Sequence, residues 1–211
     1  MKDKNICVLG LGYIGLPTSL ILCENGFNVH GVDINVELVD NLQKGETEIE
    51  EEGMAELLVR SIKNGKFSIS ENPKESEIYI IAVPTPFKED FQPDISYIKS
   101  ALNKISSLIK HNDLIIIEST IPVNTTKEME DYLIGLGIKK GSFYMAHCPE
   151  RVIPGNLLYE IVNNDRIVGG LDRKSTELTA SLYRTFVKGD VLQTDAKTAE
   201  LSKLTENAFR D

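Results

Sequence analysis

Three glycines, Gly10, Gly12 and Gly15, lie in the run Val8-Leu9-Gly10-Leu11-Gly12-Tyr13-Ile14-Gly15, where an apolar stretch passes straight into a helical pattern. A strand-to-helix turn of this kind can cradle a phosphate. Gly10 permits the tight turn, Gly12 removes the Cβ that would keep backbone N–H groups from a pyrophosphate, and Gly15 lets helix and strand pack closely. The helix N-terminus then faces the anion. A carboxylate follows at Asp33, 18 residues beyond Gly15 and at the end of the run Asn28 to Val32. An acid there accepts hydrogen bonds from ribose hydroxyls and repels a 2′-phosphate, and Ile34 and Asn35 supply no arginine to reverse that preference. Together these residues imply NAD rather than NADP as the cofactor. A glycine turn and a surface aspartate in a generic α/β protein is the plainer alternative.

A second group of reactive types gathers toward the carboxyl end. Glu150, wedged between Pro149 and Arg151 after an apolar run, is placed for general acid/base work. Lys203, Asn207 and Arg210 recur at i, i+4 and i+7, so they project from one helix face and could hold an anion or a developing oxyanion; an exposed polar face reads the same way. Hydroxyls at Thr85, Thr120 and Thr126 follow predicted strands, where they either meet a cofactor or serve turns and helix caps. His147-Cys148 suggests a base and nucleophile, but neighbours in a strand point to opposite faces and do not form that pair.

The elements that must position these residues follow from periodicity. Continuous β-branched runs at Ile6 to Leu9, Ile78 to Val83 and Asp113 to Ile117 predict strands buried on both faces, and Lys66 to Ile69, Phe143 to Cys148, Arg166 to Gly169 and Val191 to Thr194 predict further short strands. Helical spacing predicts helices from Leu16 to Cys23, Val36 to Leu42, Met54 to Ile62, Ile95 to Ile109, Lys127 to Leu136, Ser175 to Val187 and Ala196 to Asp211. Lys44-Gly45 ends one of them, the group Asn124-Thr125-Thr126 can cap another, and Asp195 can cap the last. The acidic stretch Glu46 to Glu52 reads as a solvated loop or helix start. The alternation predicts an α/β fold, a doubly wound Rossmann-type and mostly parallel sheet with helices on both faces, over 1–195, and the start of a further helical region at 196–211.

Composition bounds the function. The 211 residues are 41% hydrophobic and carry a formal net charge of −9, which suits a globular domain and argues against nucleic acid as a partner. No apolar run is long enough for a membrane span and no signal-peptide pattern opens the chain, so a cytoplasmic protein without a membrane partner is expected. Cys7, Cys23 and Cys148 form neither a disulfide framework nor a metal-ligand spacing, and no metal is expected; Cys7 and Cys23 fall in apolar runs and read as core thiols.

Seven segments, GLGYIGLPT from Gly10, GVDIN from Gly31, AVPTPFK from Ala82, ESTIPVNTT from Glu118, CPERVIPG from Cys148, NDRIVGG from Asn164 and TAELSKLTENAFRD from Thr198, resemble the amino-terminal half of the UDP-glucose/GDP-mannose dehydrogenase family. Within it the chain is most similar to the branch acting on UDP-N-acetyl-D-mannosamine. The resemblance implies a four-electron, two-NAD oxidation of a sugar C6 alcohol to a carboxylate through an enzyme-bound thioester, in surface polysaccharide synthesis. It implies a UDP-N-acetylhexosamine substrate, with UDP-N-acetylglucosamine, UDP-glucose or a stand-alone NAD-binding module as alternatives. By the same resemblance Tyr13, Ile14, Asp33, Thr85 and Thr126 contact NAD, and Arg151, Val152, Lys203, Asn207 and Arg210 contact the nucleotide sugar. Lys203 and Asn207 stabilise oxyanions or position water, and Glu150 assists proton transfer. The family's nucleophilic cysteine lies downstream of the segment matched here, so the 211 residues alone are expected to be inactive, and a homodimer is expected of the full-length parent. Position 124 is Asn where the family commonly has glycine, which puts the turn presenting Thr126 in question.

Overall fold

Runs of β-branched residues bury both their faces when helices cover a sheet on each side, and the chain is built this way. The computed structural model describes residues 4–89, 92–153 and 155–210; of Arg210 it describes the backbone alone. In chain order the elements are β1 (Asn5–Leu9), α1 (Gly15–Glu24), β2 (Asn28–Val32), α2 (Val36–Lys44), α3 (Met54–Lys63), β3 (Phe67–Ser70), β4 (Ile78–Ile81) and α4 (Ser96–Ile105). They continue with β5 (Leu114–Ile117), α5 (Thr125–Gly135), β6 (Tyr144–His147), α6 (Leu157–Asn163), β7 (Arg166–Gly170), α7 (Arg173–Tyr183), β8 (Val191–Asp195) and α8 (Ala196–Arg210).

The strands form one sheet in the order β3-β2-β1-β4-β5-β6-β7-β8. Pairing is parallel from β3 to β6, antiparallel between β6 and β7, and parallel again between β7 and β8. The order reverses between β1 and β4, and in such sheets ligands bind outside the carboxyl ends of the strands at that point. The expected Rossmann-type, doubly wound fold is therefore the one formed.

Alternate residues of each central strand feed two cores. Ile6, Val8, Ile78, Ile80, Leu114 and Ile116 pack with α1, α2, α3, α6 and α7. Cys7, Leu9, Tyr79, Ile81, Ile115 and Ile117 pack with α4 and α5 on the opposite face. Cys7, Cys23 and Cys148 are all free and buried, and burial pushes each thiol up to about 12.

Local signals account for most helix ends. The Asn35 side chain accepts from Leu38 N to cap α2, and Gly45, at φ 85°, ends it. Asp195 accepts from the backbone and hydroxyl of Thr198 at the start of α8. The cap expected from Asn124-Thr125-Thr126 is different. No side chain of that group caps α5; Asn124 takes a left-handed conformation at φ 78°, and the accepting carboxylate comes from Glu200 on α8. Asparagine tolerates that region better than other residues with a Cβ. The helices predicted to reach Ile109 and Val187 end at Ile105 and Tyr183, and α6 was not expected from periodicity. Among the described residues no helix is long and apolar enough to cross a membrane.

Candidate functional site

The glycines of the first turn have separate tasks. A Cβ on Gly10, whose φ is +93°, would lie 2.6 Å from the Ala82 carbonyl oxygen, and one on Gly15 would lie 1.8 Å from that of Gly10. Both positions are filled by backbone of the fold. Gly12 has nothing within 4 Å of where its Cβ would be, and it lines a cavity. Its missing side chain leaves room for something from outside.

That cavity, about 420 Å³, opens at the switch point between β1 and β4. It is lined by Gly10, Gly12, Tyr13, Ile14, Asp33, Thr85 and Thr120, all expected at a cofactor site, and also by Glu118 and Glu150. Asp33 is fixed from both sides: one carboxylate oxygen accepts from Leu11 N at 2.8 Å and the other from Asn35 N at 3.0 Å. The Thr85 hydroxyl donates to the Thr120 carbonyl at 2.8 Å, tying the turns after β4 and β5 together. Glycine cradle, helix N-terminus and paired acid fit the pyrophosphate and adenosine ribose of NAD.

Glu150 enters the same cavity from the turn after β6. One of its oxygens accepts from Val152 N at 2.8 Å, and the other lies 3.4 Å from Lys203 Nζ on α8. Next to it Arg151 donates to Glu206 at 2.9 Å, so two ion pairs clamp this turn to α8. Asn207 lies one turn beyond Lys203 on the same side of the helix and is half-buried. The structure thus gathers Glu150, Arg151, Val152, Lys203 and Asn207. Arg210's side chain lies outside the described residues. Thr126 does not line the cavity: it is fully buried, and its hydroxyl and backbone N–H both donate to Glu200, at 2.6 and 2.7 Å.

Beneath Glu150 lies a buried polar group of side chains. Burial raises the Glu118 carboxyl above its usual range against the opposing field of Arg166, and Tyr183 donates a short hydrogen bond to it. Arg166 is 1% exposed, stacks on Tyr183 at 5.6 Å and reaches the Pro149 carbonyl at 3.4 Å, supporting the turn from below. His147 and Cys148 separate as expected: the imidazole Nδ1 binds the Ile117 carbonyl and the thiol enters the core beside α6 and α7.

Several participants escaped the sequence reading. Glu51, in the stretch read as a solvated loop or helix start, accepts from the Tyr13 hydroxyl at 2.6 Å and from Gly155 N and Leu157 N at 2.7 and 3.0 Å. It joins the glycine turn to the segment after Arg151. Glu200 and Glu206 were passed over although they stand three residues on either side of Lys203, a spacing that puts all three on one side of α8.

A glycine-turn cavity at the sheet's switch point, with the ribose-type acid and the Glu150 carboxylate on its wall, defines a nicotinamide-dinucleotide-binding domain of the dehydrogenase type. The chain belongs to the UDP-glucose/GDP-mannose dehydrogenase family, whose NAD binding domain matches residues 4–187. It is 45% identical to a UDP-N-acetyl-D-mannosamine dehydrogenase of Methanococcus maripaludis, over 99% of this chain and 48% of that protein. It is 43% identical to an NDP-N-acetyl-D-galactosaminuronic acid dehydrogenase of Ralstonia nicotianae, over 99% and 51%. The solved UDP-N-acetyl-mannosamine dehydrogenase of Staphylococcus aureus superposes with a TM-score of 0.93 at 44% identity, over 98% of this chain and 51% of that one. The chain spans about half the length of the curated relatives it matches.

Proposed function

We propose that this chain is the NAD-binding portion of a UDP-N-acetyl-D-mannosamine 6-dehydrogenase. The observation that carries the reading is the pairing of Lys203 with Glu150, whose carboxylate lines the same cavity as Gly12 and Asp33. Oxidation of the sugar alcohol balances as RCH2OH + 2 NAD⁺ + H2O giving RCOO⁻ + 2 NADH + 3 H⁺. NAD⁺, when bound, supplies the hydride acceptor.

The chain's own groups supply the rest. Gly12 and the start of α1 hold the pyrophosphate, and Asp33 holds the ribose. Lys203 and Asn207 stabilise negative charge developing on the oxygen at C6, which a nearly buried ammonium does more strongly than an exposed one. Glu150 handles the released protons, its free lone pairs facing the cavity while Val152 N fixes its rotamer. Arg151 and Val152 line the approach of the nucleotide sugar. A cytoplasmic, homodimeric parent accompanies this reading. The relatedness to an NDP-N-acetyl-D-galactosaminuronic acid dehydrogenase favours a different N-acetylhexosamine as the second reading.

The test joins this chain after Asp211 to the carboxyl-terminal half of the Methanococcus maripaludis relative and follows NADH at 340 nm (a general property of the reduced cofactor). Two NADH per UDP-N-acetylmannosamine are expected, with little from UDP-N-acetylglucosamine or UDP-glucose. NADH from UDP-glucose alone, or no calorimetric binding of NAD⁺, overturns the reading.

A further inference from the structure

His147 ends β6 three residues before Glu150 and has no exposed surface. Its Nδ1 lies 2.8 Å from the Ile117 carbonyl oxygen, which can only accept, so that nitrogen carries the ring proton. The other nitrogen, Nε2, is buried and has no hydrogen-bond partner among the described residues. Burial, with the nearby Lys203 charge adding to it, lowers the ring to about 4. The imidazole is neutral, and Nε2 is a bare acceptor facing no donor. Leaving such a group unmet inside a protein costs about 1–3 kcal/mol.

Lys203 has donors that one loose ion pair does not fully engage. Its side chain is 5% exposed and carries three donors, yet its ion pair with Glu150 spans 3.4 Å, longer than a good charge-assisted hydrogen bond. α8 packs on β6, which brings Lys203 near enough for its charge to act on the His147 ring. The ring is also suited to its place. Ile117 needs a donor at the δ position and Lys203 needs an acceptor at the ε position, which a neutral imidazole provides in one rigid group. Asparagine could meet the first need alone, and glutamine the second.

We propose that His147 is a positioning residue for Lys203, its Nε2 accepting a hydrogen bond from the ammonium, directly or through one water, when Lys203 leaves Glu150. This rests on the assignment of Glu150 and Lys203 to proton transfer and charge stabilisation. It gives the pair two arrangements: Lys203 on Glu150 before the reaction, and Lys203 held by His147 while the Glu150 carboxylate takes a proton. The ammonium then stays in reach of the reacting oxygen without neutralising the base.

The test reads the ring and the ammonium directly in the 211-residue chain carrying Glu150→Ala, which releases Lys203 from its carboxylate partner. Long-range 1H–15N spectra are expected to show His147 protonated at Nδ1 and bare at Nε2, unchanged between about pH 6 and 8. An ammonium-selective spectrum is expected to show Lys203 protons whose exchange speeds up about tenfold in His147→Asn and recovers in His147→Gln. In Lys203→Met the Nε2 resonance is expected to move, and this keeps the test open if the histidine variants fail to fold. An Nε2–H tautomer, an unmoved Nε2 resonance in Lys203→Met, or Lys203 exchange that ignores His147→Asn in a natively folded variant overturns the proposal. None of these readouts depends on turnover, so failure of the dehydrogenase reading appears in the NADH assay and failure of the positioning role appears here.

Discussion

The glycine turn and the Glu150 turn face each other across one cavity and are held by different means. The first is set by backbone: Gly10 against the Ala82 carbonyl, Gly15 against Gly10, and Asp33 accepting from Leu11 N. Its backbone contacts all come from the first two strands, the turns that follow them and the end of β4. The second is set by charged side chains from distant places. Glu51 reaches Gly155 across 104 residues, Glu206 reaches Arg151 across 55, and Lys203 of α8 pairs with Glu150 itself. The glycine turn rests on steric geometry that tolerates little change, whereas the Glu150 turn rests on charged pairs that can exchange partners.

The sharpest break of this comparison is Gly15→Ala. Its Cβ would meet a backbone oxygen at 1.8 Å, so a loss of about 3 kcal/mol or more is expected, seen as a missing or sharply lowered thermal transition. A variant melting within about 2 °C of the parent would remove the steric account. Next is Glu200→Ala, which strips the acceptor from two backbone N–H groups and the Thr126 hydroxyl. About 3 kcal/mol is expected from urea unfolding, with part recovered in Glu200→Gln.

An acid titration probes the buried groups. His147 is lowered to about 4 from 6.5, so the unfolded chain binds its proton first and stability falls as pH drops from about 6.5 to 4, by about 3 kcal/mol. Glu118 is shifted upward and acts in the opposite sense, favouring the fold at pH values below its raised range. The difference between the parent and His147→Asn isolates the histidine: the acid slope of unfolding free energy should flatten, and an identical slope would show that the ring does not contribute. The smallest stability effect belongs to Gly12→Ala. With open space at that position, stability should change by no more than about 0.5 kcal/mol. NAD⁺ affinity by calorimetry should nevertheless drop about tenfold, equivalent to about 1.4 kcal/mol.

The same division explains what could be read from the chain before folding. The strand at Ile78–Ile81, the NAD-type acid at Asp33 and the Gly12 opening were legible, because each is encoded within a few residues by period, β-branching or the lack of a side chain. Glu150 and Lys203 were nameable through the family resemblance, but their pairing was not, since it depends on α8 lying over β6. Glu51 was read as solvated because acidity alone does not tell a free carboxylate from one that caps backbone 100 residues away. Helix α6 has seven residues, too few for a helical period to stand out, and the reversed direction of β7 is a property of the sheet.

The three enclosed thiols offer a clock. Thiolate is the species that reacts, and with each group pushed to about 12 and shut inside the core, a thiol reagent can label Cys7, Cys23 or Cys148 only during an opening event. Cys7 reports on the α4–α5 face, Cys23 on the other face beside α1, and Cys148 on the ground beneath Glu150. Labelling rates resolved by mass would therefore time how often each layer of the unliganded chain breathes.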